Sequence, residues 1–192
     1  MTLKWKKTRE TELVNNKWLR VTENSYRLPG SGGEIPNYYI TERADSALCV
    51  CFDGENFIMV EQYRAGIEAV TLCHPGGRIE PEDGSLILGA VRELGEETGY
   101  VPDKEKPVVK LGAFAQIPAV SKSWLHIFLV FCSHSPNQPK NLDETEELVV
   151  KKVKLSELND LLIRGEIVCS ACALASVLAV DYVRGWRGSS QV

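Results

Sequence analysis

The sequence predicts an α+β or α/β/α sandwich fold, with strands packed around two or three helices. Three observations carry this. Several segments alternate apolar and polar residues with period two, or run continuously apolar, as strands do. Two longer segments, near 85–98 and 171–184, carry helical patterns, the first apolar on one face and the second on most faces. Clusters of Gly, Pro, Asn and Asp punctuate the chain between them.

Taken in order, Trp18 to Leu28 alternates as a half-buried strand, Pro29-Gly30-Ser31-Gly32-Gly33 turns the chain, and a second strand lies around Asn37 to Thr41. These residues read as a separate antiparallel β layer over 1–42, ahead of a main domain over 43–192. Ser46 to Phe52 and Asn56 to Arg64 form a buried hairpin about Asp53-Gly54-Glu55. The helix from Ser85 to Thr98 turns Leu86, Ala90, Val91 and Leu94 inward, with Ser85 as its cap. Gly89 and Gly95 cost it about 1 kcal/mol each relative to Ala, which is tolerable where a helix lies close on a sheet. Strands follow at Val108 to Gln116 and Leu125 to His134, then a polar loop over Ser135 to Glu147 and a strand from Leu148 to Val153. Ser156 is positioned to cap a helix over Glu157 to Arg164, which Gly165 ends. The final helix, Ala171 to Arg184, is apolar enough to be buried, and Gly185 to Val192 is a frayed tail.

Composition narrows the function classes. With 192 residues and 44% of them hydrophobic, the chain can bury a sizeable core without staples. A net charge of −4 gives no basic footprint for nucleic acid. No apolar run approaches the ~20 residues of a membrane span, and the charged start Met1-Thr2-Leu3-Lys4-Trp5-Lys6-Lys7 has no signal-peptide character, so a cytoplasmic protein is expected. Of the six cysteines, Cys49, Cys51 and Cys132 lie in apolar strand runs, where a free thiol behaves as a small hydrophobe. Cys169-Ser170-Ala171-Cys172 has CxxC spacing, but no second pair stands at ligand spacing and the segment leads into an apolar helix, so core packing is expected.

The chemistry concentrates in Arg92-Glu93-Leu94-Gly95-Glu96-Glu97-Thr98-Gly99-Tyr100. Glu93, Glu96 and Glu97 stand at i, i+3 and i+4, so their carboxylates share one helical face roughly 5–6 Å apart. Like charges that close repel by roughly 3 kcal/mol per pair at an effective dielectric near 20. The repulsion becomes useful when a divalent cation sits among them, because Mg²⁺ and Mn²⁺ prefer hard oxygen ligands. Pro75-Gly76-Gly77 upstream, and Gly99 as a C-terminal glycine stop, distinguish this face from an ordinary solvated acidic one.

The stretch from Gly77 to Tyr100 resembles a Nudix box, G-x5-E-x7-R-E-U-x-E-E-x-G-U with U bulky and apolar. Arg92, Glu93, Leu94, Glu96, Glu97, Gly99 and Tyr100 match at every fixed position of its second half. The first half departs: Gly84 stands where the pattern has Glu, and Arg92 follows Gly77 by fifteen positions instead of fourteen. A one-residue insertion between Arg78 and Gly84 accounts for both, leaving Glu82 or Asp83 to supply the missing carboxylate, or the position vacant. Val60-Glu61-Gln62-Tyr63-Arg64, Pro75-Gly76-Gly77, the box and Ile117-Pro118-Ala119-Val120-Ser121 are together similar in order and spacing to ADP-ribose pyrophosphatases and related nucleotide-sugar hydrolases of that superfamily. The likeness runs from about Trp18 to Leu178, although Pro118 comes slightly late and Lys122-Ser123 replaces the acidic residue that often follows the serine.

The resemblance implies a Nudix-type α/β/α sandwich with mixed sheets behind the N-terminal antiparallel layer. It implies Mg²⁺-dependent hydrolysis, with Mn²⁺ as a substitute, of the pyrophosphate bond of ADP-ribose or a related nucleoside diphosphate sugar. Glu93, Glu96 and Glu97 would hold the metal, with the carbonyl of Gly76 or Gly77 as a further ligand, and Arg92 would orient a neighbouring glutamate within the catalytic set. A general base would come from the acidic loop Asn141-Leu142-Asp143-Glu144-Thr145-Glu146-Glu147, with Glu144 favoured over Glu146. Arg64, at a strand end, and Arg78 are the phosphate-side cations, since a guanidinium fork suits a pair of phosphate oxygens. Trp18, Tyr38 and Tyr39 would stack on the base, across a two-fold homodimer in which the N-terminal layers exchange. Two other readings are a Nudix hydrolase of dinucleotide polyphosphates, nucleoside triphosphates or cofactor diphosphates, and a non-catalytic nucleotide-binding regulator. The N-terminal β layer argues against the former and the three retained carboxylates against the latter.

Overall fold

A computed structural model describes residues 3–134, 142 and 147–185. The chain divides into two units, Met1–Asp45 with Phe114–Trp124, and Ser46–Ala113 with Leu125–Val192. The first unit is an antiparallel sheet in the order β1 (Lys6–Asn15), β2 (Arg20–Arg27), β3 (Glu34–Glu42). All ten side chains of β1 are exposed, so no apolar alternation marks it, and the sequence reading did not place it. What holds it is the ladder to β2, with Arg20 bridging three carboxylates: Glu10 at 2.8 Å, Glu12 at 2.8 Å and Glu42 at 3.3 Å. The segment 114–124 joins this unit through the Thr41 amide, which donates to the Val120 carbonyl at 2.8 Å.

The second unit carries a mixed sheet. Its strands are β4 (Ser46–Phe52), β5 (Asn56–Arg64), β6 (Ala69–Cys73), β7 (Gly76–Arg78), β8 (Tyr100–Pro102), β9 (Val109–Ala115), β10 (Trp124–His134) and β11 (Leu148–Lys154). The order runs β11-β5-β4-β10-β8, with β6 on β5, β7 on β4 and β9 on β10. The expected β4–β5 hairpin forms, but it is tied only at Cys51↔Ile58 and Phe52↔Phe57. The long partner of β4 is β10, parallel to it from Ser46↔Leu125 to Phe52↔Phe131. Both faces of β4 are buried, as a strand in a parallel pair requires. Helix α1 (Leu86–Thr98) covers one face, where Ala90 and Leu94 meet Ala47, Cys49, Cys51, Phe128 and Val130. Two further helices follow, α2 (Leu158–Ile163) and α3 (Ser170–Val183), and α3 also packs against β4.

Ser156 does not cap α2, whose N-cap is Glu157, although Gly165 (φ 73°) does follow the helix and turn the chain. Cys51 and Cys132 are not free core thiols but a disulfide, with Cα atoms 6.1 Å apart across 81 residues, because the parallel β4–β10 pairing brings them alongside one another. Cys49 is buried and free, as expected. Among the described residues no helix is long and apolar enough to cross a membrane.

His74, between β6 and β7, is buried, with its Nε2 2.8 Å from the Ser176 hydroxyl of α3. Burial pushes it down to about 4, against an ordinary value of 6.5. Below pH 6.5 the unfolded chain therefore binds a proton that the folded one refuses. The neutral imidazole's contribution is complete above pH 6.5 and is lost as pH falls towards 4. The loss should be on the order of 2–3 kcal/mol at pH 4.5. Urea unfolding at pH 7.5 and 4.5 should show this drop in the wild type and a smaller one in His74→Gln; equal slopes would exclude the histidine as its source.

Candidate active site

Helix α1 forms where the sequence provides both a start and a stop. The Ser85 hydroxyl accepts the Leu88 amide at one end, and Gly99, at φ 73°, donates its amide to the Gly95 carbonyl at the other. With Ala90 and Leu94 facing the sheet, Glu93 and Glu97 lie against β7, and Glu96 pairs with Arg92. Strand β7 pairs with β4 (Leu48↔Gly76, Ala47↔Gly77), so close that a Cβ on Gly76 would strike the Ala47 carbonyl oxygen and the Leu48 backbone. Gly76, at φ 151°, tolerates that approach because it has no side chain.

The two glycines set the carboxylates. The Gly76 amide donates to Glu97 Oε2 at 3.0 Å, and Glu97 is 2% exposed. A Cβ on Gly77 would come within 2.5 Å of Glu93 Oε1, so the absent side chain is the space the Glu93 carboxylate occupies. Arg92 ties the remaining charges together. Its Nε donates to Asp83 Oδ1 at 2.7 Å and its Nη2 to Asp83 Oδ2 at 3.2 Å. Its Nη1 reaches Glu96 at 2.7 Å and Glu93 at 3.0 Å, and Nη2 also donates to the Arg78 carbonyl at 3.2 Å. The Arg92 hydrogen bonds hold Asp83 below the usual carboxylate range, and Asp83 in turn holds the guanidinium firmly protonated.

Of the two acidic residues weighed for the place of the box glutamate, Asp83 is the one paired with Arg92. Residues Pro81–Asp83 form a 3-10 turn that Gly84 ends at φ 70°, and this turn absorbs the additional residue. Glu82 points to solvent, whereas the Asp83 side chain is 5% exposed, paired with Arg92, and accepts the Glu80 amide at 2.8 Å. Asp83→Asn keeps the shape but removes the charge opposite Arg92, and turnover should fall about tenfold, as for an outer partner of a metal-ligand set. Glu82→Gln should stay within about twofold; an equal loss in both, measured as kcat on folded protein, would remove this role from Asp83.

The donor chemistry suits a hard divalent cation: three carboxylates on one face, backbone carbonyls beside them, and a glycine in place of a competing side chain. In this arrangement Glu93 and Glu96 share Arg92 and Glu97 holds the Gly76 amide. Accordingly, among the described residues no three His, Cys, Asp or Glu side chains already converge on a metal-sized point.

The other expected residues are spread more widely. Arg78 is joined to Glu80 at 2.5 Å, a partner the sequence reading did not name. Arg64 is exposed at the end of β5 and makes no ion pair among the described residues. Within the first unit, Tyr38 packs edge-on with Trp5 and Tyr26, at ring distances of 5.9 and 5.6 Å, and donates to the Ala119 carbonyl at 2.8 Å. Tyr39 projects to the opposite face of β3 and donates to Glu23 at 3.3 Å, so one sheet face offers one of the two tyrosines, not both. Trp18 is 59% exposed in the β1–β2 turn, with the Lys17 ammonium 4.5 Å from its ring. Glu144 and Glu146 lie outside the described residues.

The chain is similar to known proteins over most of its length. The NUDIX domain model matches residues 42–168. The ADP-ribose pyrophosphatase of Bacillus subtilis (strain 168) is 30% identical over 149 residues, 74% of this chain and 78% of its own length. The methanol dehydrogenase activator of Bacillus methanolicus is 25% identical over 180 residues, 93% of this chain and 92% of its own. The crystal structure of an ADP compounds hydrolase shares the fold, with a TM-score of 0.80 at 18% identity over 96% of this chain and 97% of its own. The matched region contains the glycine strand, the 3-10 turn and the carboxylate helix, and the chain belongs to the NUDIX domain family as a Nudix hydrolase.

Proposed function

We propose that this chain hydrolyses the pyrophosphate bond of ADP-ribose or a related nucleoside diphosphate sugar in the presence of Mg²⁺, releasing a nucleoside monophosphate and a sugar phosphate. The observation that carries this reading is the pair Glu97 and Glu93 laid against Gly76 and Gly77, with Glu96 tied to Glu93 through Arg92, and the ADP-ribose pyrophosphatase relative supports it. Attack of water on a diphosphate needs charge neutralisation and positioning more than covalent help from the protein. Glu93, Glu96 and Glu97, with the Gly77 carbonyl, would hold Mg²⁺ or Mn²⁺, which supplies neutralisation of the phosphate charge and acidification of water. Arg92 and Asp83 fix the direction of the glutamates. Arg78 and Arg64 supply positive charge for the phosphates, and Glu144 or Glu146 removes the proton from the attacking water.

Residues 1–42 would serve as a dimerising, nucleotide-covering element for a hydrolase domain over 43–192, with Trp18, Tyr38 or Tyr39 stacking on the base held by a second copy. Light scattering at micromolar concentration should give about twice the 21.4 kDa chain mass; a clean monomer would remove the cross-subunit stacking role.

The deciding experiment is incubation with a panel of nucleoside diphosphate sugars, dinucleotide polyphosphates and nucleoside triphosphates plus Mg²⁺, with products resolved by chromatography. AMP and ribose 5-phosphate from ADP-ribose are expected. Triphosphate or dinucleotide cleavage alone would select another hydrolysis. No cleavage of any compound would favour the regulatory reading suggested by the near full-length similarity to the methanol dehydrogenase activator.

A further inference from the structure

The fold gathers three thiols outside the carboxylate site. Cys73 ends β6, while Cys169 and Cys172 belong to the N-terminal turn of α3, nearly a hundred residues later. Cys169 and Cys172 stand three residues apart across the first turn of α3, so their side chains share one face, and the His74–Ser176 contact brings the end of β6 alongside the same helix. Their exposures differ: Cys73 and Cys172 are buried, and Cys169 is open to solvent in part. Cys169 is the N-cap residue of α3. It makes no side-chain capping hydrogen bond. The Cys172 and Cys73 thiols first, and the Cys172 and Ala171 amides after them, pull Cys169 below the ordinary thiol range, while Cys169 and then Cys73 push Cys172 up.

A structural thiol gains nothing from such a setting. Simple packing would bury all three sulfurs alike, as it does Cys49. A metal would need the sulfurs, or sulfurs with His74, to converge, and no such group of three or more is present among the described residues. An accessible thiol at a helix N-terminus with a buried thiol one turn on is instead the arrangement of a nucleophile and its resolving partner.

We propose that Cys169 and Cys172 form a dithiol that hydroperoxides oxidise to a disulfide. The Cys169 thiolate attacks one peroxide oxygen: an S–O bond forms, the O–O bond breaks, and hydroxide departs. The Cys172 sulfur, giving up its proton, then attacks the Cys169 sulfur: the S–S bond forms and the S–O bond breaks. For hydrogen peroxide, two thiols and one peroxide yield one disulfide and two waters. Cys73, whose sulfur lies 3.1 Å from the Thr71 hydroxyl, is not consumed.

Tryptic mapping reads this directly, because Cys169 and Cys172 share the peptide 165–184 while Cys73 lies in 65–78. After brief hydrogen peroxide treatment of the full-length protein and alkylation of remaining thiols, peptide 165–184 should appear unalkylated and two hydrogens lighter. Dithiothreitol should restore double alkylation. Cys169→Ser, which keeps a good helix cap, should leave Cys172 reduced under the same treatment. Before oxidation, iodoacetamide at pH 6 should label Cys169 at least about tenfold faster than free cysteine, reflecting its thiolate fraction. Unchanged double alkylation after peroxide, a crosslink of 65–78 to 165–184, or an equivalent of zinc in the protein as purified that shields these thiols would each overturn the proposal.

Discussion

Glu97→Gln should lower turnover by at least about a hundredfold while leaving the fold intact. Glu97 is nearly inaccessible and accepts the Gly76 amide. Glutamine keeps the size and a carbonyl acceptor for that amide, so circular dichroism and thermal unfolding should change little. What disappears is one full negative charge facing the space between α1 and β7. Removal of a single preorganised electrostatic contact from a reaction centre typically costs 10²–10³-fold. Glu96→Gln should behave alike, and Glu93→Gln should also raise the Mg²⁺ concentration needed for half-activity. A Glu97→Gln enzyme as fast as the wild type would sink the metal-site assignment.

The second large effect lies in the acidic loop. Glu144→Gln should lower kcat by about 10²–10⁴-fold, the range for loss of a general base, with substrate affinity nearly unchanged. Proton removal develops only in the transition state, so the ground-state complex does not register the loss. A Mg²⁺ titration separates the two roles: loss of a metal ligand moves the half-saturation point, loss of a base does not. If Glu144→Gln and Glu146→Gln both remain within a few-fold of the wild type, the loop is not the source of the base, and Glu96 is the next residue to test.

The legible parts of this molecule are those where local pattern and tertiary demand coincide. Helix α1 was readable in full because Ser85, the inward Ala90 and Leu94, and Gly99 all specify the same element. Its carboxylates were readable because helical spacing alone places them on one face. Strands β4 and β5 announced themselves as apolar runs, but periodicity says nothing of partners, and the parallel pairing of β4 with β10 emerged only in the structure. Strand β1 was invisible because all its side chains are exposed, so cross-strand charge pairs replace the apolar signal. The short strands β6, β7 and β8 carry too few residues for any period to show. Choosing Asp83 over Glu82 required knowing which carboxylate the 3-10 turn directs at Arg92. The third thiol beside the CxxC pair lay equally beyond sequence spacing, since Cys73 arrives from a distant strand.

The parallel β4–β10 pair has a consequence for the order in which the molecule assembles. Parallel neighbours cannot meet through a tight turn; the chain from β5 to β9 must already have looped out and returned. Helix α1 lies inside that loop, and its apolar face meets β4 and β10 together. Long-range closures of this kind come at an entropic cost before their contacts form, so α1 gains its docking surface only as the central strands join. The acidic face is therefore a late product of folding. A chain with helical content but without native strand order would present its three glutamates to bulk water, unsupported by the glycine strand. Under the proposed metal site, tight divalent-ion binding would thus report completed topology, not helix formation.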